Sequence, residues 1–215
     1  AIPNGVENGL FQLGKVLVST FVATYGTMQI AANGVTNSLS SLCYVTQMAM
    51  QLAVVTVIGQ CVGAGDYDQA KYYVKKMFII GYILVVADNL LVFLLSPYAL
   101  SMYTLTEQTQ KIAETILVMD CLSVSALHMP AFVLPCCLRA SGDAKYTMYI
   151  GVASMFTARV CGAYILGTVC GYGVVGTRIA MYMDWVIRIV FFAYRYFSGK
   201  WMNFRLVGKT EKATV

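Results

Sequence analysis

Charge is what this sequence has least of: only 12% of its 215 residues are Asp, Glu, Lys or Arg, about half the share of an average soluble domain. So few charges cannot make a water-facing surface, which excludes an ordinary soluble protein. Histidine occurs once, at His128, and no His or Cys pair has metal-ligand spacing. That leaves little machinery for an enzyme and implies no cofactor. Cysteine is present seven times but mostly inside apolar runs, and Cys136-Cys137 is adjacent rather than C-x-x-C, so neither a zinc site nor a disulfide framework is indicated. The net charge of +5 forms no basic stripe with interleaved aromatics, which argues against a nucleic-acid partner. No signal peptide is visible, and the opening Ala1-Ile2-Pro3 without methionine points to a fragment or a subunit.

What is present is apolar: 59% of residues are hydrophobic, with a mean hydropathy of +0.68. They come in blocks matching the roughly 20 residues that span a bilayer. Gly, Pro and charged punctuation places helices at about 5–32, 36–63, 75–98, 112–138, 145–168 and 174–197. The expected fold is all-α: one transmembrane lobe, a six-helix bundle over 1–215, with 198–215 as a basic tail. Lys and Arg set the orientation, because short cytoplasmic loops retain them. Lys71, Lys75, Lys76, Arg139, Lys145, Arg195, Lys200, Arg205, Lys209 and Lys212 fall on one side, and only Lys111 and Arg178 on the other. Both ends of the segment are therefore expected in the cytoplasm. Residues 66–76 read as a short amphipathic helix on that surface.

Charged groups embedded in hydrocarbon are costly, at least about 2.5 kcal/mol at the centre, and face a bundle interior or a water-filled cavity. The first helix places Asn4, Glu7, Phe11 and Lys15 along one face, and the fourth places Asp120, Val124 and His128 on another. At about 1.5 Å per residue, Lys15 and His128 both lie about 15 Å deep. Glu7, Lys15, Asp120 and His128 are thus candidates for ion or proton coupling or for substrate binding. Each has a plainer reading: Lys15 neutralises a carboxylate, His128 bonds a backbone carbonyl, Asp120 reaches the outer interface. Pro130 and Pro135 each remove a helical hydrogen bond, freeing the carbonyls of Ala126 and Ala131 and kinking the helix beside His128. Asp184 and Arg188, spaced i,i+4, form a structural ion pair. Arg159 needs a partner from another helix. Gly171 to Gly176 matches G-x-G-x-x-G, but it joins two membrane helices and reads as a tight turn rather than a dinucleotide site. Gly59 and Gly63 read as a close helix-packing motif.

These residues resemble the second six-helix half of the multidrug and toxic compound extrusion (MATE) family. The resemblance is carried by Ile2-Pro3 through Glu7 and Phe11, Ala31-Ala32-Asn33, Gly59-Gln60 through Gly63-Ala64-Gly65-Asp66, Leu138-Arg139-Ala140 with Gly142-Asp143, Asp184-Trp185 with Arg188, and Gly199-Lys200-Trp201. It implies one lobe of a two-lobed 6+6 antiporter of the plasma (inner) membrane, partnered by an N-terminal six-helix lobe and by membrane lipid. Such a protein exports small organic, often cationic compounds by alternating access in exchange for H+ or Na+. Where the better-known family members carry functional acids in the first and fourth helices of this lobe, this chain has Phe11 and His128. A relocated, proton-coupled site on Glu7 and His128 follows as an expectation, since histidine titrates near physiological pH. The alternatives are a flippase of lipid-linked oligosaccharides, marked by stronger positive charge in the cavity, and a non-transporting membrane scaffold or truncated product.

Overall fold

The computed structural model describes residues 2–103, 105–199 and 201, with the side chains of residues 2–4, 6, 7 and 43 left aside. Among the described residues there is no strand. Six helical rods follow one another: α1 Ile2–Ala23, α2 Thr27–Gly63, α3 Tyr67–Ser101, α4 Glu107–Ala140, α5 Ala144–Val169 and α6 Gly173–Phe197. Two are locally widened, α4 into a π-segment at Val124–His128 and α5 into π-segments at Met155–Cys161 and Tyr164–Val169.

The first turn lies at residues 24–26, not near 33–35 where the sequence suggested it. Gly26 takes φ +94° and caps α2, a conformation open to glycine without the Cβ penalty. Asn33-Gly34 remains helical because Asn33 has a partner inside the bundle. The amphipathic stretch at 66–76 is likewise no separate helix. Asp66 accepts a hydrogen bond from the Gln69 amide at 3.0 Å, capping an unbroken α3.

The core is packed between α2, α3, α4 and α6, around Ile58, Val85, Met129, Leu138, Trp185 and Phe192. The α1 helix lies against α5. Large apolar side chains cover the outside as well: Ile83, Leu90, Leu94 and Leu95 of α3 are all more than half exposed. Such a surface calls for hydrocarbon or another apolar partner as solvent. By length and composition alone, four described helical stretches could cross a membrane: Tyr44–Gly63, Tyr67–Ser101, Glu107–Ala140 and Ala144–Val169. Although α6 has the length to cross, it carries Arg178, Asp184, Arg188 and Arg195, of which the first three are buried.

Two glycine motifs part company in the structure. A Cβ on Gly176 would come within 2.6 Å of the Leu166 carbonyl oxygen, so α5 and α6 touch there backbone to backbone. The glycine run is thus a turn and a packing contact. At Gly59 and Gly63, by contrast, a Cβ would meet nothing within 4 Å. Among the described residues nothing packs closely against that pair, so the close-packing expectation finds no partner there.

Candidate functional site

A cleft of about 610 Å³ opens between α1 and α2, and α4, α5 and α6 contribute to its lining. The α2 helix contributes a polar stripe at helical spacing: Asn33, Asn37, Ser41, Tyr44, Gln47 and Gln51. Spacings of three and four put these residues on one face of the helix. That stripe is the signal the sequence reading missed.

Within the cleft, His128 is 4% exposed and held in an aromatic box. Its ring stacks on Phe132 at 4.4 Å between centroids, meets Trp185 edge-on at 5.6 Å, and lies 6.0 Å from Tyr44. The box follows from sequence: Phe132 is one turn along α4 from His128, and Trp185 comes from the inward face of α6. Rather than bonding a carbonyl, buried His128 Nδ1 has no hydrogen-bond partner among the described residues. The same is true of both amide atoms of Gln47, which is 2% exposed, and of Trp185 Nε1. Buried polar atoms are normally satisfied, so three lining residues with orphaned groups mark a place prepared for something that supplies the missing partners.

The π-segment of α4 ends at His128, two residues before Pro130. The Ala126 carbonyl, freed by that proline, accepts a hydrogen bond from the Tyr82 hydroxyl of α3 at 3.0 Å. Pro135 is buried further along the same helix.

Lys15 is exposed toward the cleft and Arg159 lines it from α5. Among the described residues neither has a carboxylate within ion-pair distance. The plain reading that Lys15 neutralises a carboxylate finds no partner there, and Arg159 is acted on across helices by Asp184 of α6 without forming a close ion pair. Glu7 lies on α1, but its side chain falls outside the described residues.

Asp120 sits deeper, 3% exposed, and does not reach the outer interface. It accepts hydrogen bonds from the Tyr182 hydroxyl and from Ser40 Oγ at 3.2 Å, and lies 3.4 Å from Arg178. Arg178 in turn donates to Asn33 at 2.9 Å and to Asn37 at 2.6 Å. Arg178 is therefore no loop residue. It belongs to α6 and locks that helix to α2 and α4 at the cleft margin.

Asp184 and Arg188 pair at 2.9 Å, both buried. Arg188 also donates to the Gly151 carbonyl at 2.9 Å and lies 4.5 Å over the Phe11 ring. Phe11 thus covers a structural cation from α1. Near the other end of the bundle, Arg195 binds Asp143 at 2.6 Å, fastening the α4–α5 turn to the end of α6.

Residues 3–165 match the family model described as MatE. The chain belongs to the MATE family. It is 23% identical over 200 residues to the probable multidrug resistance protein YoeA of Bacillus subtilis, covering 93% of this chain and 43% of that protein. It is 22% identical over 205 residues to the probable multidrug resistance protein NorM of Thermotoga maritima, with the same two coverages. Its fold superimposes on an outward-facing conformation of a multidrug resistance MATE family transporter of the MOP superfamily, with a TM-score of 0.83 at 19% identity over 93% of this chain and 44% of that one. The chain therefore spans less than half the length of these relatives. As a MATE-family chain with apolar, membrane-length helices, it is an integral multi-pass membrane protein of a transporter family.

Proposed function

We propose that this chain is the second lobe of a two-lobed exporter, facing an N-terminal six-helix lobe across the cleft, and that the pair expels small organic compounds across the plasma membrane. The lobes rock between inward- and outward-open states, and the inward movement of H+ or Na+ biases the exchange. Both ends of the segment lie in the cytoplasm, on the side of its loop lysines and arginines. The observation that carries the reading is the cleft itself: an aromatic wall with buried, unpartnered polar atoms on Gln47, His128 and Trp185.

Glu7 and His128 are the coupling residues in this reading. The charged or titratable groups that share the cleft with His128 are Tyr44 from α2, Lys15 from α1, Arg159 from α5 and Arg178 from α6. Asp120, held by Arg178, Tyr182 and Ser40, serves as an anchor. Accumulation of a fluorescent dye in cells with and without the full-length protein, with Na+ and pH varied separately, tests the proposal. Lower accumulation with the protein supports export, and equal accumulation overturns it. Full gradients formed by both Glu7→Gln and His128→Ala overturn the coupling assignment.

A further inference from the structure

Among the described residues the cleft wall carries no carboxylate: its charged residues are Lys15, Arg159 and Arg178, and the Glu7 side chain lies outside those residues. Arg178 is offset by Asp120 behind it at 3.4 Å. Lys15 and Arg159 remain as two positive charges, from α1 and α5, without an ion-pair partner among the described residues. Asp184, already bonded to Arg188, also acts on Arg159, but one carboxylate cannot neutralise two guanidiniums, and excess positive charge beside hydrocarbon is costly and favours an anion.

Two of the orphaned polar groups are donors, which an anion would satisfy. An indole Nε1–H is a donor and nothing else, and in Trp185 that donor is buried and unsatisfied. Gln47 adds an amide whose donor is likewise unused, on a side chain 98% buried in the lining. Donors held out of water are answered by oxygen acceptors, and an ionised oxygen accepts most strongly. Around them, Phe11, Tyr44, Phe132 and Trp185 give an apolar, aromatic surface.

We infer that this lobe binds organic anions: a carboxylate, sulfonate or phosphate group received by Lys15, Arg159 and the Trp185 Nε1–H, with the attached aromatic or aliphatic body on the Phe11–Phe132 wall. The inference rests on the cleft being the exporter's substrate site and goes further in giving the substrate a sign of charge. It runs against the cationic cargo that the family resemblance implies.

Two probes with one ring and opposite charges decide it: naphthalene-2-sulfonate and trimethyl(2-naphthyl)ammonium. Both are titrated by equilibrium dialysis against the full-length protein in uncharged detergent. The sulfonate is expected to bind at least about tenfold more tightly, and its affinity to fall as ionic strength rises. Lys15→Gln changes an exposed residue and is expected to fold; together with Arg159→Gln it is expected to remove the preference. Arg159→Lys is expected to keep it, and Trp185→Phe, which preserves the aromatic contact, to weaken only the sulfonate. Equal or tighter binding of the ammonium probe, or a preference unchanged in Lys15→Gln and Arg159→Gln, overturns the charge inference and leaves export standing. Binding of neither probe overturns the cleft as a substrate site altogether. Phosphatidylglycerol added to the same micelles distinguishes two sources of the anion: displacement of the sulfonate assigns the wall to a lipid headgroup, and no displacement to a soluble compound.

Discussion

Arg178 stands 3.4 Å from Asp120, a buried cation of α6 against a buried anion of α4. Removing one partner strands the other in a low-dielectric interior, which costs about 3–5 kcal/mol, whereas removing both costs far less. Asp120→Asn is therefore expected to lower the melting temperature of the detergent-solubilised protein sharply. Asp120→Asn with Arg178→Gln is expected to recover most of the loss. Additive losses would show that the two do not interact.

The glycines of α2 and α6 give a contrasting pair of substitutions. Gly176→Ala places a Cβ 2.6 Å from the Leu166 carbonyl oxygen, and rigid backbone cannot yield as a side-chain tip can. A loss of about 1–3 kcal/mol is expected. Gly59→Ala meets nothing within 4 Å and is expected to be neutral or to stabilise by about 0.4–1 kcal/mol. Thermal unfolding of the two variants side by side checks both.

Tyr82 and Pro130 are coupled through a carbonyl neither owns. Tyr82→Phe deletes the hydrogen bond to the Ala126 oxygen and is expected to cost about 1 kcal/mol. With Pro130→Ala, the amide restored at position 130 satisfies that oxygen, and Tyr82→Phe becomes nearly silent. An equal cost in both backgrounds would contradict the link.

Much of the architecture was readable because it depends on local pattern. Bilayer-length apolar blocks marked the helices, the spacing of four joined Asp184 to Arg188, and Pro130 pointed to the freed Ala126 carbonyl. The long-range network was not readable. Arg178 binds Asn33 and Asn37 from 145 and 141 residues away, and no periodicity links such positions. The same network explains the misplaced first turn: Asn33-Gly34 has the look of a helix break, but Asn33 is paid for by Arg178, and the chain turns instead at Gly26. The aromatic box around His128 was equally hidden, since Tyr44, Phe132 and Trp185 come from three helices. The polar stripe of α2 was present in the sequence and would have been found by testing each apolar block for a polar face.

His128 lies among aromatic rings with an unpartnered Nδ1, so coupling and binding are expected to separate on substitution. His128→Ala is expected to abolish the pH dependence of dye export while Na+ dependence is measured in parallel. Phe132→Leu, which removes a stacking ring and no proton, is expected to weaken substrate binding and leave the pH profile in place. Identical pH profiles for wild type and His128→Ala would place the proton site elsewhere.

The whole account depends on which faces of the bundle meet water. In a background with the native cysteines replaced, Ser41→Cys and Met48→Cys report on the cleft, and Leu90→Cys and Leu94→Cys on the outer surface of α3. Maleimides react with the thiolate, which hydrocarbon suppresses. Labelling of membranes with a charged maleimide is expected to modify the cleft pair and spare the α3 pair. Equal labelling of all four would contradict both the membrane setting and the cleft as an aqueous pathway.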